Sequence, residues 1–120
     1  MIQEIIKFLR KNTQYKFHFQ SADVSELSDG DVVYDFSNPT SNGIKQTQRL
    51  TLMVITKGTG ENSVLKSEEI AKNINDKILT KGDNPLTKNI LSCVLNGGGI
   101  IENKATDTLH NTMYFDIIFR

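Results

Sequence analysis

Cys93 is the sole cysteine of the chain. That excludes an intrachain disulfide and leaves a cysteine-built zinc site without its ligands. No apolar run approaches the roughly 18 residues that a membrane-spanning helix needs. The opening residues, Met1-Ile2-Gln3-Glu4-Ile5-Ile6-Lys7, place charges inside their apolar stretch, where a secretory signal needs an uninterrupted one. A chain made and kept in a cytoplasm is expected. Histidine occurs at His18 and His110 alone, neither with a helical His or carboxylate partner at ligand spacing, so both read as exposed polar positions. Lysine and arginine are missing from Phe17 to Ile44, where Asp23, Glu26, Asp29, Asp31 and Asp35 carry five negative charges.

What is present describes a folded domain. A length of 120 residues suits one domain and is too short for two ordinary ones. Such a chain buries roughly 65% of the surface that its unfolded form exposes, enough for a core without covalent staples. Fourteen acidic residues balance fourteen basic ones, which argues against general nucleic-acid or membrane binding. The local imbalance reads in two ways. The acidic stretch is a solvated loop, or it is one side of a polarised molecule whose basic side, with Lys45 and Arg49, meets it in the next copy. Contacts of that head-to-tail kind close into rings.

The elements follow from periodicity. Ile2, Ile5, Ile6 and Leu9 mark one face of a helix over 2–11. Tyr15, Phe17 and Phe19 alternate with polar residues as a strand does, and Val32 to Phe36 forms a second strand. Residues 37–43 are turn formers, with Asn42-Gly43 suited to a type I′ turn inside a long hairpin loop. Gln48 to Thr56 is a third strand. A second helix, capped by Asn62 or Ser63, is expected to run to about Thr80 and to pack through Ile70, Ile74 and Ile78, with Gly82 and Pro85 ending it. Ile90 to Leu95 and Ile100 to Lys104 read as strands about an Asn96-Gly97-Gly98-Gly99 turn, and Asn111 to Phe119 as the last strand. The predicted class is α+β: a single antiparallel sheet with two helices packed on one face, in the order α-β-β-β-α-β-β-β.

No chemical motif completes itself. Gly58-Thr59-Gly60 before a helix, with Lys66-Ser67 following, lacks the glycine that a phosphate-binding loop needs directly before its lysine. A dinucleotide fingerprint fails at Ser63. Cys93 lies in an apolar strand, where a free cysteine is ordinarily a small core residue, and no motif supports a Cys-His pair. Asp35 and Asp116 read as solvent-facing strand carboxylates. The three glycines from Gly97 to Gly99 imply a turn or bulge of positive φ, or a contact loop in an assembly. Catalytic, cofactor and metal sites are each expected to be absent.

The element order and several strings resemble the tail terminator and minor capsid proteins of long-tailed bacteriophages. The strings are Asp31-Val32-Val33-Tyr34-Asp35-Phe36, Gln48-Arg49-Leu50-Thr51-Leu52-Met53-Val54, Glu69-Ile70-Ala71-Lys72, Asn75-Asp76-Lys77-Ile78-Leu79 and Thr112-Met113-Tyr114-Phe115-Asp116-Ile117-Ile118-Phe119. The resemblance spans nearly the whole chain and rests on pattern. It implies a virion protein that forms a ring, commonly six-fold, on the finished tail tube. Such a ring stops tube growth and presents the surface that docks to the head connector. The implied partners are copies of the chain, the major tail tube protein and head connector proteins, with Asp29, Asp31, Lys45, Arg49 and Gly97, Gly98 and Gly99 as expected subunit contacts. A head-completion protein under the portal, and a small ligand-binding or enzymatic α+β domain, are the other readings.

Overall fold

A computed structural model describes residues 2–20, 26–78 and 90–119. Helix α1 (Ile2–Asn12) leads into strands β1 (Phe17–Phe19), β2 (Asp31–Phe36), β3 (Thr40–Asn42) and β4 (Lys45–Lys57). Helix α2 (Glu61–Ile78) follows, then the long strands β5 (Ile90–Asn103) and β6 (Thr108–Phe119). The sheet runs β1-β2-β4-β6-β5, with β3 added to one end of β4. Both helices contribute to the core on one face, as the α+β class requires. No helix of the described residues is long and apolar enough to cross a membrane.

The apolar spacing read from the sequence is the spacing that is buried. In α1, Ile5, Ile6 and Leu9 are fully covered. The helix ends where Thr13 N–H and Oγ1 both donate to Leu9 O and Asn12 Nδ2 donates to Phe8 O, satisfying carbonyls that would otherwise be orphaned. In α2, Ile70, Ile74 and Ile78 face the sheet. There they meet the inward row of β4 and β6, whose paired residues Leu50 with Phe115 and Leu52 with Met113 lie on the same side. Gly82 and Pro85, expected to end α2, lie outside the described residues.

Three local expectations give way to tertiary structure. The cap of α2 is Gly60, whose carbonyl accepts from Ser63 N and Val64 N. Ser63 itself lies in the first turn, and its hydroxyl stands within hydrogen-bond distance of Thr56 Oγ1, Lys57 O and Gly58 O, tying the helix start to the end of β4. The long loop after β2 contains an added strand: β3 pairs with the start of β4 around a two-residue turn, Gly43-Ile44, with Gly43 at φ 75°. Finally, β1 lies parallel to β2, whereas the other strand pairs among the described residues are antiparallel.

The largest departure concerns the glycines. Residues 90–103 form one strand, and Asn96-Gly97-Gly98-Gly99 is no turn but a bulge, where pairing with β6 jumps from Leu95–Phe115 to Gly98–Met113. The observed order is therefore α-β-β-β-β-α-β-β. The chain reverses later, before Thr108, with Asp107 at φ 51°. Gly97 and Gly98 adopt φ 96° and 153°, and a Cβ on Gly98 would run into the Thr112 carbonyl, whereas Gly99 has open space around it. Asn96 and Gly97 stand opposite the single residue Tyr114 of β6, so of the turn and the positive-φ bulge that these glycines implied, the bulge is what forms.

Ile74→Ala should lower unfolding free energy by about 2–5 kcal/mol, the range for a large side chain removed from a core, as read by urea denaturation. A loss under ~0.5 kcal/mol would mean that α2 does not pack through this residue. Gly98→Ala should cost more than about 1 kcal/mol through backbone strain and the blocked carbonyl, while Gly99→Ala should change stability by under ~0.5 kcal/mol. Equal melting temperatures for the two variants would remove the bulge from this account.

Candidate assembly interface

The residues expected to make subunit contacts are dispersed over the sheet. Asp29 and Asp31 stand at the start of β2, Lys45 at the β3–β4 turn, Arg49 further along β4, and the glycines on the far strand β5. Asp31 is only 6% exposed. Its carboxylate accepts from Ser28 N at 2.9 Å and lies 3.0 Å from His18 Nε2. This carboxylate has no surface to offer a neighbouring subunit, which corrects the electrostatic expectation at this position. Asp29 accepts from Lys57 N at 2.8 Å and from Lys66 Nζ at 2.7 Å. Partial burial raises its pKa, but these donors outweigh that effect and hold it below the ordinary carboxylate value.

Arg49 is also engaged within the chain. Its Nε donates to Asp116 at 3.0 Å, and its guanidinium stands 5.6 Å from the Tyr114 ring centre. Asn96, from the bulge, donates to the other Asp116 oxygen at 2.6 Å. The Asp116 carboxyl is accordingly held below its usual range, first by Asn96 and then by Arg49. This outer-face network spans β4, β6 and β5 and pins the bulge to its neighbours. Lys45 is exposed and remains available for a contact. Asp23 lies outside the described residues.

Groups considered for chemistry do not converge. Cys93 is buried on the helix side of β5, and burial pushes its thiol up to about 12, far from a thiolate at neutral pH. His110 lies on the opposite face of β6, with Nε2 2.9 Å from Thr108 Oγ1, and burial lowers its pKa. It is a strand residue, since β6 begins at Thr108 and not at the expected Asn111. Asp35 and Asp116 occupy β2 and β6, which β4 separates, so they form no pair. Lys66, the lysine of the supposed phosphate loop, sits in mid-helix against Asp29. Among the described residues no group of three or more His, Cys, Asp or Glu could hold a metal ion. A polar groove of about 600 Å³ runs between the end of α1 and α2, lined by Lys11, Thr13, Tyr15 and Asn73 among others, with Asn73 donating to Tyr15 Oη at 2.9 Å. Apart from Tyr15, the residues that line it are polar or charged, whereas most ligand pockets are lined by hydrophobic and aromatic side chains.

What the surface does display is apolar side chains at the two sides of the sheet. On β5, Val94, Leu95, Ile100 and Ile101 are 38–68% exposed. At the opposite side, Phe19 and Phe36 are 45% and 38% exposed and pack on each other with centroids 5.8 Å apart. Sequence reasoning missed both groups, because alternation alone assigned such residues to a core without saying how far the helices reach.

No protein-family model and no curated protein matches the chain. Among solved structures, the fold is similar to that of a chain from the virion of a native gene transfer agent particle. The likeness has a TM-score of 0.67 at 13% identity and covers 96% of this chain and 90% of that one. It extends over the whole architecture.

The internal role of Asp31 is open to test. Asp31→Ala should cost about 1–3 kcal/mol by leaving the Ser28 N–H without its acceptor. Chemical denaturation would check this, and an unchanged midpoint would return Asp31 to the list of surface contacts.

Proposed function

We propose that the chain is a structural virion protein of a tailed, phage-like particle. Copies of it form a ring, six-fold by resemblance, that closes the tail tube and presents the surface for the head. The observation that carries this reading is a fold likeness, over nearly the full length of both chains, to a component of an assembled virion. The resemblance of the sequence strings to tail terminators supports the tail-end role. The absence of converging catalytic groups among the described residues is compatible with it. The reading assigns the chain to the particle, at the junction of head and tail, after synthesis in the host cytoplasm. Its partners are its own copies, the tail tube protein and the head connector, and it requires no cofactor.

The test is tail assembly in its presence and absence. Purified tube protein polymerising without this chain should give tubes of unregulated length. Added chain should appear in electron micrographs as density at one tube end and should stop growth there. If the chain instead binds tailless heads and ignores tube ends, the head-completion role is correct. Binding to neither structure would remove the virion reading.

A further inference from the structure

The sheet register relates the two exposed apolar groups. Phe36 pairs with Leu50, Leu50 with Phe115, and Phe115 with Leu95. These four residues form one row across the helix-side face, with Phe36 and Leu95 at its opposite ends. At about 4.8 Å per strand, the two lie about 14 Å apart within a copy. Neither is a stray side chain. Leu95 belongs to an apolar run along β5, and Phe36 joins Phe19, which packs edge-on to Tyr34 at 5.6 Å.

The strand at each side is exposed in a different way. Among the described residues β5 is outermost, fourteen residues long, and its edge carries neither lysine nor proline to discourage pairing. The β1 side is three residues long and partly blocked. Lys16 O accepts from Val32 N, so the Phe17 carbonyl points away from β2, and Arg10 donates to it at 2.6 Å. A neighbour approaching that side therefore meets side chains more than free backbone. Charges of opposite sign stand near the two groups, on different faces of the sheet. Exposed Glu102 lies two residues beyond Ile100 on β5, and exposed Lys16 directly precedes β1.

We infer that the chain binds a second copy of itself head to tail, the β5 side around Leu95 and Ile100 seating against the Phe19–Phe36 side of the next copy. This inference rests on the ring reading above and names the contact within it. Two different surfaces on opposite sides of one sheet are what a heterologous, ring-closing contact requires; a two-fold dimer would use one surface twice. Strand directions alternate from β2 to β5, and β1 runs with β2. Successive copies in a common orientation thus set β5 antiparallel to the neighbour's β1, with the Leu95 and Phe36 rows level. The contact is apolar at its centre, so it persists when salt shortens the Debye length to about 3 Å at 1 M. This differs from the salt-sensitive contact that the acidic stretch alone would form.

The experiment uses two single-cysteine additions to the full chain, Leu95→Cys and Phe36→Cys, each checked by circular dichroism and melting. A short flexible bismaleimide is applied at high protein concentration in 1 M salt, to each variant alone and to an equal mixture. Wild-type chain serves as the control for Cys93, whose buried thiol should not react. A linked product in the mixture, absent from each variant alone, is the expected result. Linkage of Leu95→Cys to itself would show two-fold pairing of β5 and overturn the inference. Multimers detected by light scattering without any mixed product would also overturn it, while leaving the ring reading intact. If wild-type chain stays monomeric both alone and with tail tubes, the inference and the ring reading fall together. Should either cysteine variant misfold, Ile100→Cys and Phe19→Cys replace the pair with the same outcomes.

Discussion

The pairing of β4 with β6 is the constraint on which the other elements depend. Residues 46–57 align with residues 108–119 without a break in register, joining segments about sixty positions apart in the chain. This ladder sets Leu50 beside Phe115 and Leu52 beside Met113, and so creates the apolar platform on which Ile70, Ile74 and Ile78 of α2 rest. It also holds Arg49 opposite Asp116 on the reverse face. A slip of one residue would exchange the two faces, sending the platform to solvent and the ion pair inward. The alternating burial along β6 therefore specifies register as much as it contributes to the core.

Strands added outside this ladder lose cover as they move away from it. The two helices shield the centre of the sheet, and side chains facing the same way near its sides are left partly open: Leu95 and Ile100 on β5, Phe19 and Phe36 on β1 and β2. The bulge at Leu95–Gly98 strengthens this effect. It inserts one extra residue into β5, the outermost strand among the described residues, and is held by Asn96 to Asp116 on the outer face. The described residues thus expose apolar side chains on opposite sides of the sheet, and exposed apolar patches are commonly surfaces of contact with other proteins.

Charge takes a more local part than the sequence pattern implied. Two residues of the acidic stretch act inside the chain: Asp31 holds the turn from Ser28 and faces His18, and Asp29 joins the end of β4 to α2 through Lys57 and Lys66. Exposed pairs such as Lys66 with Asp29 contribute little stability singly. What they do in the fold is tie Asp29, just before β2, to the end of β4 and to α2.

The sequence by itself determined the class of the fold, the two helices, the apolar face of α2 and the alternation of β6. Each is a matter of local period, 3.6 or 2, which the chain carries wherever it folds. It also determined that no complete ligand or nucleophile motif is present, since those need particular residues at particular spacings. Tertiary structure decided the rest. Asn96-Gly97-Gly98-Gly99 has the composition of a turn, yet β6 offers a continuous partner on both sides of it, and a bulge keeps more ladder hydrogen bonds than a reversal would. Thr108 to Thr112 has the composition of a polar loop, yet it pairs with the end of β4, and Thr108, Asn111 and Thr112 are buried. Asp31 has the alternation of a solvent-facing residue, and only the turn at Ser28 and the neighbouring strand with His18 enclose it. Exposure at the sides of the sheet was likewise beyond sequence, because it depends on how far two helices reach across five strands, a distance that no local pattern encodes.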